Sequence, residues 1–74
     1  MRIENVESEA TGTVWKIVAE LGQSVEEDDD LLILESMKME IPICATCDGV
    51  VKEIRVAEGD SVSEGNVVVV IEEG

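Results

Sequence analysis

The stretch "LILESMKMEIPI", Leu32 to Ile43, decides how this chain folds. On either side of its centre the residues alternate as half-buried β-strands do. Leu32, Leu34 and Ser36 share one face going in, and Met39, Ile41 and Ile43 share one face coming out. A two-residue loop lays both sets on the same side, as a buried face requires. A three-residue loop at 37–39 would instead pair Leu34 with Pro42 and Leu32 with Cys44, and turn Ile41 and Ile43 outward. The hairpin is therefore expected to turn at Met37-Lys38. Two-residue hairpins favour type I′ or II′ turns, which want Asn or Gly at positive φ. An L-residue forced there costs about 1–2 kcal/mol. The same loop sets Glu35 directly opposite Glu40, a like-charge pair that disfavours the hairpin. Two local costs at one spot mark a site, whereas the plainer reading is a tolerated surface turn.

Outward from that hairpin the chain repeats itself. Residues 12–35, "GTVWKIVAELGQSVEEDDDLLILE", fall without gaps over 49–72, "GVVKEIRVAEGDSVSEGNVVVVIE". Gly12, Val14, Ile17, Gly22, Ser24, Val25, Glu27 and Glu35 meet identical residues at one constant offset, which favours two copies of one unit. Each copy reads strand, glycine turn, short strand, acidic turn, strand. "LLIL" and "VVVVI" are continuous apolar runs of strand length. Asp28-Asp29 stand where the second copy has Gly65-Asn66, so the first of these turns is expected to be strained or differently shaped. Residues 2–8 read as an additional edge strand, and no stretch carries a helical period. The expectation is one all-β domain over residues 1–74, a flattened barrel or sandwich of two similar halves.

A chain of 74 residues has a thin core and little apolar surface to spare for a deep substrate cavity. With one Trp and no Phe or Tyr, its packing must rest on Val, Ile and Leu. A module serving larger proteins is the better expectation than a solitary enzyme. Eighteen acidic residues against five basic ones give a net charge of −13. That balance repels nucleic acid and anionic lipid. It also suits solubility, or steering toward basic partner surfaces. No apolar run has the length of a membrane span, and no signal core follows a basic start. We expect a soluble, cytoplasmic protein, monomeric in isolation.

Cys44 and Cys47 have C-x-x-C spacing, but the chain has no His and no second Cys pair to complete a zinc site. Pro42 and Gly49 bracket the pair in a strand end and turn, not at the helix start that a thioredoxin-like site uses. Two reduced structural thiols are expected, with no metal site.

Lys38 differs from Lys16 and Lys52, which lie inside the repeated strands as ordinary surface residues. It stands between the two copies, on a tip, away from the body of the fold. Catalytic lysines are usually partly buried, where desolvation tunes them. A lysine presented outward between Glu35 and Glu40 suits being acted upon, and acylation of its amine is the natural modification.

"ESMKMEIP", with the flanking "G-x-V" and "EGDSVSEGNVVVVIE", resembles the biotinyl/lipoyl-attachment domain family, and within it the biotin carboxyl carrier branch, from Gly12 to Glu72. The resemblance implies a flattened β-barrel of two four-stranded antiparallel sheets related by a pseudo-two-fold. It implies covalent biotin on Lys38, placed there by a biotin protein ligase. Glu35, Ser36, Met37, Met39 and Glu40 would be the residues the ligase recognises. Ser36 departs from the Ala of many members, a small-for-small change. The lipoyl branch shows Asp before the lysine and Ala after it, so the Met-Lys-Met tip favours biotin. The implied role is non-catalytic: carrying a carboxyl group between biotin carboxylase and carboxyltransferase components. A lipoyl carrier of an oxo-acid dehydrogenase, an unmodified interaction module and a thiol redox protein are the alternatives. The chain lacks the thumb insertion and the Ala/Pro-rich linker of some bacterial carriers.

Overall fold

A computed structural model describes residues 2–73. They form eight strands and no helix: β1 (Arg2–Glu7), β2 (Gly12–Ile17), β3 (Ser24–Val25), β4 (Asp30–Ser36), β5 (Met39–Cys44), β6 (Gly49–Ile54), β7 (Ser61–Val62) and β8 (Val67–Glu73). Two four-stranded antiparallel sheets result, in the orders β1-β8-β6-β3 and β5-β4-β2-β7. The all-β, two-sheet expectation holds, and residues 2–7 are indeed an edge strand.

The halves are interlocked. Each sheet takes two strands from each half, so neither half can close its own sheet. Paired hydrogen bonds hold the exchange. Gly22 N–H donates to the Val51 carbonyl (2.8 Å) and Val51 N–H to Gln23 (2.9 Å). In the other half Gly59 N–H donates to Val14 (2.7 Å) and Val14 N–H to Asp60 (2.8 Å). The correspondence reaches beyond 12–35 and 49–72: β1 and β5 occupy equivalent places, as do β4 and β8. Only Met37 and Lys38 separate the two sets of four strands. The first strands lie outside the aligned stretch because "RIENVE" and "MEIPIC" are identical at no aligned position, with only a buried Val6 matched to a buried Ile43.

Four register shifts recur in symmetric pairs. An extra residue sits in β2 between Val14 and Lys16, and in β6 between Val51 and Glu53. Another sits in β4 between Asp30 and Leu32, and its counterpart is Val68 in β8. Such bulges put neighbouring side chains on one face and increase the local twist. They explain the uninterrupted apolar runs: Leu31 and Leu32 are both buried, and so are Val68 and Val69. Leu34 and Ile71 complete the centre of the core.

Asp28 adopts φ 76°, close to the φ 90° of Gly65 in the other half. The turn keeps the glycine shape and carries the strain, rather than changing shape.

Candidate functional site

β4 and β5 meet in the hairpin that the residue pattern requires. Glu35 pairs with Glu40 and Ser36 with Met39, leaving Met37 and Lys38 as the loop. Their φ values are 51° and 67°. Both lie in the left-handed region, at an expected cost of about 1–2 kcal/mol per residue. No Gly or Asn relieves it.

Burial fades along the hairpin toward its tip. Ile43 is buried, Ile41 half-buried, and Met39 64% exposed. On β4, Leu32 and Leu34 are buried and Ser36 is half-buried. Parity put Met39 on the core-facing row, and it does continue that row. It is nevertheless exposed, because the sandwich ends before the hairpin does. Met37, at 92% exposure, stands clear of everything. Lys38 forms no ion pair among the described residues, and neither do Glu35 and Glu40.

The base of the hairpin rests on Gly12. A Cβ there would lie 2.7 Å from the Glu35 carbonyl oxygen and 3.3 Å from Ser36 Cβ. Only a residue without a side chain lets β2 approach β4 this closely. Gly49 plays the same part in the other half, against the Glu72 carbonyl oxygen at 2.6 Å. Of the identical glycines of the repeat, Gly12 and Gly49 are thus close-approach positions, a role their spacing alone did not reveal, while Gly22 and Gly59 serve turns at positive φ.

Trp15 lies on β2, outside the Met-Lys-Met motif. It is the extra residue of the β2 bulge and half of its surface is exposed, on the strand beside β4. Its counterpart, Lys52, reaches Glu72 at 3.3 Å, and Arg2 reaches Glu73 at 3.5 Å. These two carboxylates correspond to positions 35 and 36. Lys16 is exposed and unpaired among the described residues; Lys52 is engaged.

The two thiols lie away from the tip. Cys44 Sγ–H donates to Asp30 Oδ1 at 3.4 Å, and Cys47 packs against the core. Burial, reinforced by the bonded Asp30 carboxylate and by Asp28, pushes the Cys44 thiol up. Burial first, and then Glu73 and Glu4, does the same to Cys47. Reactive cysteines need the reverse, an electropositive setting that favours thiolate. Both are free, with no metal-holding cluster among the described residues.

Two clefts are lined by residues of β1, the far end of β5 at Pro42–Cys44 and the loops near Glu27, Thr46 and Glu64, and neither includes the tip. A primary amine on an exposed, strained hairpin fits a group that must be carried outward. It does not fit one held in a pocket of this chain.

Comparison with known proteins points the same way. The family model described as biotin-requiring enzyme matches residues 4–71. The biotin/lipoyl attachment protein of Bacillus subtilis is 47% identical over 62 residues, 84% of this chain and 85% of that protein. The biotinylated protein TB7.3 homolog of Mycobacterium leprae is 38% identical over 68 residues, 92% of this chain and 96% of that one. Among solved structures, the Kluyveromyces lactis urea carboxylase superposes with a TM-score of 0.92 at 42% identity. That match covers 97% of this chain and 6% of the carboxylase.

Proposed function

The chain belongs to the biotin-requiring enzyme family, and on that premise we propose that it is a biotin carboxyl carrier domain modified on Lys38. The observation that carries this reading is the Met37-Lys38 loop, which holds an exposed amine at the end of a strained two-residue hairpin.

Attachment requires an amide between Lys38 Nζ and the carboxyl carbon of biotin. A biotin protein ligase joins that carboxyl to AMP from ATP, releasing pyrophosphate; Nζ then attacks the acyl carbon, AMP leaves, and the amine gives up a proton. Met37, Met39, Ser36, Glu35 and Glu40 are the surface such a ligase meets on either side of the amine. When attached, biotin supplies a ureido nitrogen that takes up and releases a carboxyl group. The chain contributes presentation: two antiparallel strands fix the lysine backbone while its side chain moves freely. Tethering then replaces a bimolecular encounter by a local one. The partners in this reading are a biotin carboxylase component and a carboxyltransferase component, and the domain itself is not a catalyst. The reading places it in the cytoplasm, where the ligase has ATP. No helix among the described residues is long and apolar enough to cross a membrane.

Intact mass spectrometry tests the assignment. After incubation with a biotin protein ligase, ATP and biotin, the chain is expected to gain one biotin less one water. A lipoyl increment from a lipoyl ligase, with none from the biotin enzyme, would replace this reading by the lipoyl one.

A further inference from the structure

The pseudo-two-fold supplies an internal control for the surface around the tip. In the second half, Glu72 and Glu73 each have a cation from this chain, Lys52 and Arg2. The equivalent places at the end bearing Lys38 hold Trp15 and Met39, both apolar and both exposed. Beside them Glu35 and Glu40 face each other across the ladder with no cation among the described residues. Lys16 lies one row further from the tip, opposite Ile33, and pairs with neither. One end of the fold neutralises its carboxylates internally, and the end bearing Lys38 does not.

Position 15 is the place from which a side chain reaches the carboxylate at 35, as Lys52 reaches Glu72. A cation pairing with Glu35 from outside would come to lie beside the Trp15 indole. A guanidinium suits that place, because it bonds a carboxylate in a planar fork and stacks on an aromatic face. From this geometry we infer that the outer face of β2, β4 and β5 at the tip is a docking surface for a basic side chain, an arginine, of the enzyme that acylates Lys38. Trp15 is then a specificity-determining residue of that encounter. The net charge of −13 supplies the long-range attraction to such a basic surface. This inference rests on the reading of Lys38 as the acylated residue.

The test is steady-state biotinylation with a purified biotin protein ligase, varying the concentration of this chain. Trp15→Lys copies the arrangement that the Lys52 half already tolerates, so it gives Glu35 an internal cation on a backbone suited to it. Its KM is expected to rise about tenfold with kcat nearly unchanged, the loss of one exposed ion pair together with one cation–π contact. Wild-type KM is expected to rise with salt, and the Trp15→Lys value to rise less. Trp15→Phe keeps the aromatic face and is expected to stay near wild type, while the mirror change Lys52→Trp alters nothing. A wild-type KM for Trp15→Lys, or an equal loss in Lys52→Trp, would overturn the inference. If thermal melting shows Trp15→Lys unfolded, Trp15→Gln carries the test, with a raised KM expected and an unchanged one contradicting. Absence of any biotin on wild-type Lys38 would instead remove the functional reading itself.

Discussion

At one end of the pseudo-two-fold Arg2 faces Glu73 and Lys52 reaches Glu72. At the other, Met39 faces Ser36 and Trp15 stands in the place of Lys52. Beneath these surfaces the two halves agree in bulges, close-approach glycines, buried rows and exchanged strands. The difference separates two demands on one sequence. Residues that build the sandwich are held to the repeat. Glu35 keeps the repeat at the tip, but its exposed neighbours Trp15 and Met39 depart from it, and they flank the two residues that separate the repeated sets of strands.

Substitutions made in symmetric pairs can break or sharpen this comparison. The largest effects should fall in the core and be equal on both sides. Leu34→Ala and Ile71→Ala each remove a fully buried side chain at equivalent positions. Each should cost about 2–5 kcal/mol in chemical denaturation. A loss confined to one of them would show that the halves do not share one core. Next come the close-approach glycines. Gly12→Ala and Gly49→Ala should each cost about 1–3 kcal/mol through overpacking. Gly49→Ala should cost more, since its Cβ would also meet Ile71 Cγ2 at 2.6 Å. Only Gly12→Ala, by shifting the base of the hairpin, should also slow biotinylation.

The strained turns give a smaller effect of opposite sign. Asp28→Gly and Met37→Gly place glycine at φ 76° and φ 51°. Each should raise stability by about 1 kcal/mol, the left-handed penalty less the entropy cost of glycine. Asp28→Gly should leave biotinylation unchanged, whereas Met37→Gly should reduce it; equal biotinylation would make the tip an ordinary turn. The smallest effect concerns the thiols, which stand where the first half has Glu7 and Ala10. Their raised pKa lowers the thiolate fraction, so iodoacetamide at about pH 8 should label native Cys44 and Cys47 more slowly than a free cysteine. The unfolded chain ionises them first, near 9.0, so their contribution to stability is present below that value and is lost as pH rises above it. Labelling as fast as free cysteine would reopen a redox role for the pair.

Much of this was legible in the residues. Alternation about Lys38 gave the hairpin and its loop, because a one-residue slip would have turned Ile41 and Ile43 to solvent. The repeat gave two matched halves, since glycines at close approaches and turns tolerate few alternatives. That the strands at 2–7 and 39–44 are equivalent members of the repeat was not legible, because a half-buried edge strand asks only for one apolar residue in place, Val6 or Ile43. The bulges were not legible either. Their extra residues are an exposed Trp15 and Lys52 or a buried Leu31 and Val68, and both look like ordinary strand composition. The exposure of Trp15 therefore has no signature in strand composition; only its alignment with Lys52 sets it apart. Met39 was placed on the right row but not at its exposure, which depends on where the sandwich ends.

The central claim is that Lys38 alone is the acceptor. Peptide mapping of the ligase-treated chain, beside Lys38→Arg, Lys16→Arg and Lys52→Arg, tests it most directly. The biotin increment is expected on the peptide containing Lys38, with complete loss in Lys38→Arg and full incorporation in the other two. Biotin on Lys16 or Lys52, or continued incorporation in Lys38→Arg, would contradict it.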